Sequence, residues 1–389
     1  MPDEPIPLAR PDLGPREREL VLEVLDSGRL SLGPRLEEFE RALASWLGVD
    51  DAVAVSSGTA ALHLGVRTRG WDEGAEVITS PFTFVATANA LLYEGATPVF
   101  ADIDPVTFNL DPAAAAAAAG ERTAGILPVH IFGYPAQMAE LGQIAADRGL
   151  GLLEDACQAL GAADAEGRKL GSGGNPATFA FYANKQLTTG EGGILVPSDA
   201  GMATAARSER NQGRAPDMSV VEHDRLGFNY RMSELAAALG VAQMERLDQL
   251  LADRAGVAAL YGERLGALGA AAAGEGDADG LVLPCRDRGS ERRSWFVYPV
   301  QLPVGADMNG VIASLQGAGI QARAYLPCVH LMPFYRERFG FREGQFPIAE
   351  RVASRSLALP FFGAMDEQQV ERVCTELASA VGLAGSSGG

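Results

Sequence analysis

The sequence predicts an α/β protein, with a large, mostly parallel sheet covered by helices on both faces and a smaller α+β domain toward the C-terminal end. Three observations carry this reading. Between residues 76 and 196, short apolar runs alternate with helical stretches, the pattern of strands buried on both faces. A length of 389 residues exceeds what one ordinary core holds and favours two domains. Residues 270–280 mix Ala, Gly, Asp and Glu without periodicity, as a surface connection near a boundary does.

The elements follow in order. Residues 76–79, 97–100, 125–129 and 150–154 read as buried, mainly parallel strands, and residues 178–181 and 193–196 as further strands. Asp111, Pro112, the alanines to 119 and Gly120 read as the cap, first-turn proline, body and C-terminal glycine of one helix. Beyond the boundary, residues 295–300 predict a strand, 310–317 a helix and 366–381 a final helix. Residues 1–265 are therefore assigned to an N-terminal segment plus the large domain, and 266–382 to the small domain. Residues 383–389, rich in Gly and Ser, are assigned to a flexible tail.

Composition excludes several classes. With 47% hydrophobic and 21% charged residues the chain can bury a core. A net charge of -18 opposes binding to nucleic acid or to an anionic membrane. No apolar run spans a bilayer, and residues 1–10 lack the charged-then-apolar pattern of a secretion signal, so a cytoplasmic location is expected. Cys157, Cys285, Cys328 and Cys374 are scattered, with no metal-ligand spacing, which predicts free thiols and no metal. The basic residues are almost all arginine; the two lysines are Lys169 and Lys185.

Three local signals carry chemistry. Asp155 in Glu154-Asp155-Ala156-Cys157-Gln158 ends a predicted buried strand, where α/β sheets present ligand-binding groups; a capping aspartate fits the pentapeptide equally well. Lys185 leaves a strand beside the glycine-rich Thr188-Thr189-Gly190-Glu191-Gly192-Gly193, and only an amine that can lose its proton does Schiff-base chemistry. Lys169 reads as a surface lysine. Ser57-Gly58-Thr59 opens a helical pattern after an apolar run, which makes a phosphate cradle or an ordinary cap. Neither a dinucleotide fingerprint nor a P-loop nor a serine-hydrolase elbow is found. Cradle, acid and lysine in this order are what pyridoxal phosphate requires.

Over nearly its whole length the sequence resembles the DegT-type sugar aminotransferases, which have the aspartate-aminotransferase fold. The resemblance rests on Ser57-Gly58-Thr59, residues 81–87, residues 154–158, Asn184-Lys185, residues 188–193, residues 227–232 and residues 330–340. It implies that Lys185 bears the cofactor, Asp155 holds the pyridine nitrogen protonated, Phe84 stacks on the ring and Gln158 contacts the ring hydroxyl. It further implies that Ser57, Gly58 and Thr59 bind the phosphate, that Asn229 reaches it from a second copy of the chain, and hence a homodimer with shared sites. The family often has serine where this chain has Ala180, so one phosphate contact is missing, and weaker cofactor retention is expected. Members that dehydrate sugars carry histidine at the position of Lys185.

The resemblance also implies the reaction: L-glutamate gives its amino group through pyridoxamine phosphate to a nucleotide-linked keto-deoxysugar, 4-keto before 3-keto. His330 and Tyr325 are the expected substrate contacts, with a packed structural histidine as the other reading of His330. His63 reads as structural, and Trp295, Phe296, Phe334 and Tyr335 as packing. The alternative activities are amination of a cyclitol or another antibiotic-precursor ketone and, outside catalysis, a regulator with the same fold.

Overall fold

A computed structural model describes residues 4–215 and 222–383. Most of the tail assigned to 383–389 lies outside the described residues.

The strands of the large sheet are β1 (Val53–Val55), β2 (Glu76–Thr79), β3 (Thr97–Phe100), β4 (Thr123–Leu127), β5 (Gly151–Leu152), β6 (Glu154–Asp155), β7 (Ala177–Ala180) and β8 (Gly193–Val196). They pair as β3-β2-β4-β5 and as β6-β7-β8-β1. Only Leu153 separates β5 from β6, and its N–H donates to Ile126 O, so the two halves form one continuous sheet. The pairs β2·β3, β2·β4, β4·β5 and β6·β7 are parallel, while β8 runs antiparallel to both β7 and β1. β1 and β8 are buried at every position, which explains their runs of Val, Ala, Ile and Leu, while the edge strand β3 alternates half-buried and buried residues.

The predicted strands at 76–79, 97–100 and 193–196 have the observed bounds. The strand predicted at 125–129 is displaced to 123–127 because Pro128 has no N–H to extend the ladder; its carbonyl still accepts from Asp155 N at 2.9 Å. Asp111 caps the helix Pro112–Ala118, accepting from the Ala113 and Ala114 N–H groups. Gly120 does not form the left-handed cap: the helix ends on extended Ala119, and Gly120 instead exchanges bonds with Thr123 in the turn into β4.

A second sheet contains β9 (Ala271–Ala272), β10 (Val282–Leu283), β11 (Tyr298–Gln301), β12 (Arg323–Ala324) and β13 (Ser356–Leu359), in the order β12-β13-β11-β10-β9. The supposed connection at 270–280 thus supplies an edge strand, since Ala-Ala carries no breaker. The helices Met308–Gly317 and Glu367–Ala380 cover this sheet, the latter closed by an Asp366–Gln369 capping box. The helix Leu247–Ala267 contains the 265/266 boundary; Leu247 packs in the large-domain core, and Val257, Tyr261 and Leu265 pack in the C-terminal one. Ile6 joins the C-terminal core and bridges Ile320. Among the described residues no helix is long and apolar enough to cross a membrane.

Candidate active site

The C-terminal ends of the parallel strands open on a cleft of about 540 Å³, lined by Ser57, Gly58, Thr59, Phe84, Asp155, Gln158, Lys185 and Tyr325 among others. This is where an open α/β sheet presents ligand-binding groups.

Ser57 ends the turn after β1 and caps the helix Gly58–Thr68, its Oγ accepting from Ala60 N at 3.1 Å. The first N–H groups of a helix have no partner within it, which leaves those of Gly58 and Thr59, both in the cleft wall, as donors to an anion. The turn is packed too tightly for side chains. A Cβ on Gly58 would fall 2.5 Å from Ala180 Cβ, and one on Gly193 would fall 2.4 Å from Ser57 O. Two glycines therefore build the cradle, and Ala180 offers it no hydroxyl.

Asp155 is 4% exposed. Neutral donors meet both of its oxygens: Thr87 Oγ1–H donates to Oδ2 at 2.7 Å and Cys157 N–H to Oδ1 at 3.1 Å. A buried carboxylate so held is stabilised by a cationic N–H, which a pyridinium ring provides. Thr87 in turn exchanges a hydrogen bond with Thr83 at 2.9 Å. Thr87 stands in a motif already singled out, but no pattern in the sequence ties it to Asp155.

Gln158 is buried, and its Oε1 accepts from Phe132 N at 2.9 Å. Its Nε2 is then the group left to face a ligand, and an N–H donor is what an ionised ring hydroxyl requires. Phe84 is 58% exposed in the cleft wall, an apolar face open to a planar ring. Beside Lys185, Asn184 Oδ1 is buried without a hydrogen-bond partner among the described residues, an acceptor for a ligand donor.

Lys185 is half-buried, with Nζ 3.9 Å from the centroid of the Phe296 ring. Loss of hydration pushes its pKa down to about 8, against the opposing pull of the Asp155 charge. Burial and the Asp155 charge hold the Cys157 thiol neutral. Phe296, read from sequence as packing, is thus also the floor beneath the amine. Arg254 was missed altogether: its buried guanidinium donates to the Lys185 carbonyl at 3.0 Å and to those of Asn184 and Phe296. Lys169 lies elsewhere, over the Trp46 ring at 3.8 Å.

The remaining expected residues divide. Tyr325 is in the cleft wall, its hydroxyl pKa pushed up to about 12 by burial. His330, the other expected substrate contact, does not line this chain's cleft. It is fully buried, Nε2 bonds Glu350 Oε1 at 3.0 Å, and Phe346 packs against its ring. Asn229 is exposed, bridges to Asn211 and does not line this chain's own cleft. His63 is buried between Tyr230 OH and Glu94.

The sequence profile of the DegT/DnrJ/EryC1/StrS aminotransferase family matches residues 11–378. GDP-perosamine synthase of Caulobacter vibrioides is 38% identical over 375 residues, spanning 96% of this chain and 97% of that one. The solved structure of DesV from S. venezuelae in complex with a ketimine intermediate has a TM-score of 0.88 at 32% identity, over 97% of this chain and 99% of that one. DesI, solved in the presence of its TDP-sugar product, has a TM-score of 0.85 at 34% identity, over 98% of this chain and 94% of that one. Sequence, fold and cleft agree that the chain belongs to the DegT/DnrJ/EryC1/StrS aminotransferase family and is a pyridoxal-phosphate-dependent transaminase with the aspartate-aminotransferase-like fold.

Proposed function

We propose that this transaminase moves the amino group of L-glutamate to a nucleotide-linked keto-deoxysugar, the 4-keto sugar being the first acceptor to test and the 3-keto sugar the second. The observation that carries the site assignment is the meeting in one cleft of a dehydrated Lys185 amine, a buried Asp155 carboxylate and the Gly58 cradle. The GDP-perosamine synthase relative and the TDP-sugar product of DesI support a nucleotide-linked acceptor.

Pyridoxal phosphate, when bound, supplies an aldehyde that takes up amino groups and a pyridinium ring that withdraws electrons. The chain's own residues do the rest. Gly58 and Thr59 N–H groups and the Ser57 hydroxyl would hold the phosphate, Phe84 would cover the ring, and Gln158 Nε2 would donate to its hydroxyl. Asp155, oriented by Thr87, would keep the ring nitrogen protonated. Lys185 Nζ would anchor the aldehyde, and as a free amine it would be the base that moves the proton of the glutamate α-carbon, a task suited to an amine with a pKa of about 8. Tyr325, in the cleft wall, would contact the substrate.

Asn229 is exposed and does not line its own chain's cleft, and in the proposed homodimer with shared sites it would reach the phosphate bound by a second copy. The proposed setting is the cytoplasm. The test is the visible absorbance of the pyridoxal-phosphate-loaded protein before and after glutamate, beside Lys185→Ala, followed by product analysis with GDP- and TDP-linked 4-keto and 3-keto deoxysugars. A lysine-dependent band bleached by glutamate and restored by one of these sugars is expected. Bleaching that no nucleotide-linked keto-sugar reverses would overturn the substrate assignment.

A further inference from the structure

Behind the cleft lies a buried histidine that the reaction above does not use. His130 follows β4 and is fully buried. Ala136 N–H donates to its Nδ1 at 2.9 Å, so Nδ1 bears a lone pair and the ring proton sits on Nε2. Nε2 lies 3.2 Å from Glu154 Oε2 and therefore donates to that carboxylate, whose Oε1 accepts from Asn175 Nδ2 at 3.0 Å. Glu154 is itself buried and precedes Asp155 in β6, their side chains leaving opposite faces of the strand.

The backbone around His130 reaches the other face. Its N–H donates to the Asp155 carbonyl at 3.0 Å, and two residues on, Phe132 N–H donates to Gln158 Oε1 at 2.9 Å. This turn is fixed in left-handed conformations, φ 54° at Phe132 and φ 80° at Gly133. A Cβ on Gly133 would fall 1.7 Å from Ser294 O, so the turn has no room to shift that way. One buried turn thus touches, from behind, the two residues assigned to the cofactor ring.

We propose that His130 is a positioning residue whose Nε2–H bond to Glu154, together with the backbone bonds of its turn, holds Asp155 and Gln158 in place for the pyridine ring. The inference rests on the ring assignment of Asp155 and Gln158 made above. Without that bond, Glu154 keeps a buried charge short of a donor, and the 154–155 segment has to move or admit water to satisfy it.

The test compares wild type, His130→Gln, His130→Asn, Glu154→Gln and Asp155→Asn by pyridoxal phosphate titration of the visible band, by the maximum and pH midpoint of that band, and by thermal melting. Glutamine can still present an N–H near the Nε2 position, whereas asparagine keeps only an acceptor for Ala136 N–H. Losing one hydrogen bond to a charged group predicts about tenfold weaker cofactor binding in His130→Asn and less than about threefold in His130→Gln. The band of His130→Asn should also shift in the same direction as that of Asp155→Asn, a change that lowered stability alone does not produce. Wild-type affinity and band in a folded His130→Asn, with only the melting temperature lowered, would overturn the proposal. If His130→Asn does not fold, Glu154→Gln decides: it should weaken binding about threefold by removing the charge from the bond, and wild-type behaviour refutes the role. If Asp155→Asn leaves band and affinity unchanged, the ring assignment is wrong and this inference falls with it. If Asp155→Asn moves them and the His130 and Glu154 variants do not, the fault lies with His130 alone.

Discussion

Gly58→Ala is the sharpest perturbation of the phosphate cradle, because the space available is known. The added methyl would stand 2.5 Å from Ala180 Cβ and 3.3 Å from Cys157 Sγ. Carbon atoms pack at about 3.5–4.0 Å, so the start of the helix Gly58–Thr68 has to retreat by roughly 1 Å. Overpacking of this kind costs about 1–3 kcal/mol. If that strain falls on the donors facing the phosphate, cofactor binding weakens by roughly 5–150-fold at 25 °C. The dissociation constant is read from the visible absorbance of protein titrated with pyridoxal phosphate, beside thermal melting of the cofactor-free chain. The structure also names the compensating change: Ala180→Gly removes the opposing methyl, so the double variant should recover most of the affinity. Gly58→Ala with wild-type affinity, or a double variant no better than the single one, would refute the claim that contact with Ala180 sets the cradle's position.

Further expectations follow from single contacts. Burial favours the neutral, nucleophilic form of Lys185, so the rate at which the cofactor-free protein captures pyridoxal phosphate should rise with pH and level off above about 8; stopped-flow rates still climbing at the ordinary lysine value of about 10.4 would contradict this. Thr87→Val removes the donor 2.7 Å from Asp155 Oδ2, and a bond to a charged group is worth about 1.5–3 kcal/mol, so glutamate half-turnover should slow by about tenfold or more with the band position altered. Ser57→Ala deletes a helix cap and should lower stability by about 1 kcal/mol in chemical denaturation, whatever its effect on the cofactor. Ala180→Ser supplies the hydroxyl the cradle lacks and should slow cofactor loss on dialysis by about fivefold, as one net hydrogen bond allows.

The parts legible in the sequence were those where chemistry restricts the residue type within a short window. An acid ending a buried strand, one of two lysines beside a glycine-rich turn and a Ser-Gly-Thr helix start are each local, and they converge on one cleft. What escaped was long-range. Thr87 meets Asp155 across 68 positions, and Arg254 meets Lys185 across 69, distances at which no periodicity operates. The surroundings of His330 escaped for the same reason: Glu350 and Phe346, which enclose it, arrive from a later helix and the residue before it. Its position beside the cleft residue Pro327 said nothing about which way the imidazole would turn.

Gly193 shows how a motif can be read correctly in kind and still withhold its purpose. The run 188–193 announces a tight turn, and the turn is there. Its last glycine, however, is required by a different part of the chain. Because β8 runs antiparallel to β1, Gly193 pairs with Val55, and the cradle turn that follows β1 passes directly over it. Any side chain at 193 would strike Ser57 O and Gly58 N, at 2.4 and 2.7 Å. The direction of one strand therefore decides whether the phosphate cradle can sit against the sheet at all, and a local pattern of parallel-type strands does not reveal that direction. Gly193→Ala should consequently resemble Gly58→Ala in cofactor affinity, and Ala180→Gly should rescue only the latter.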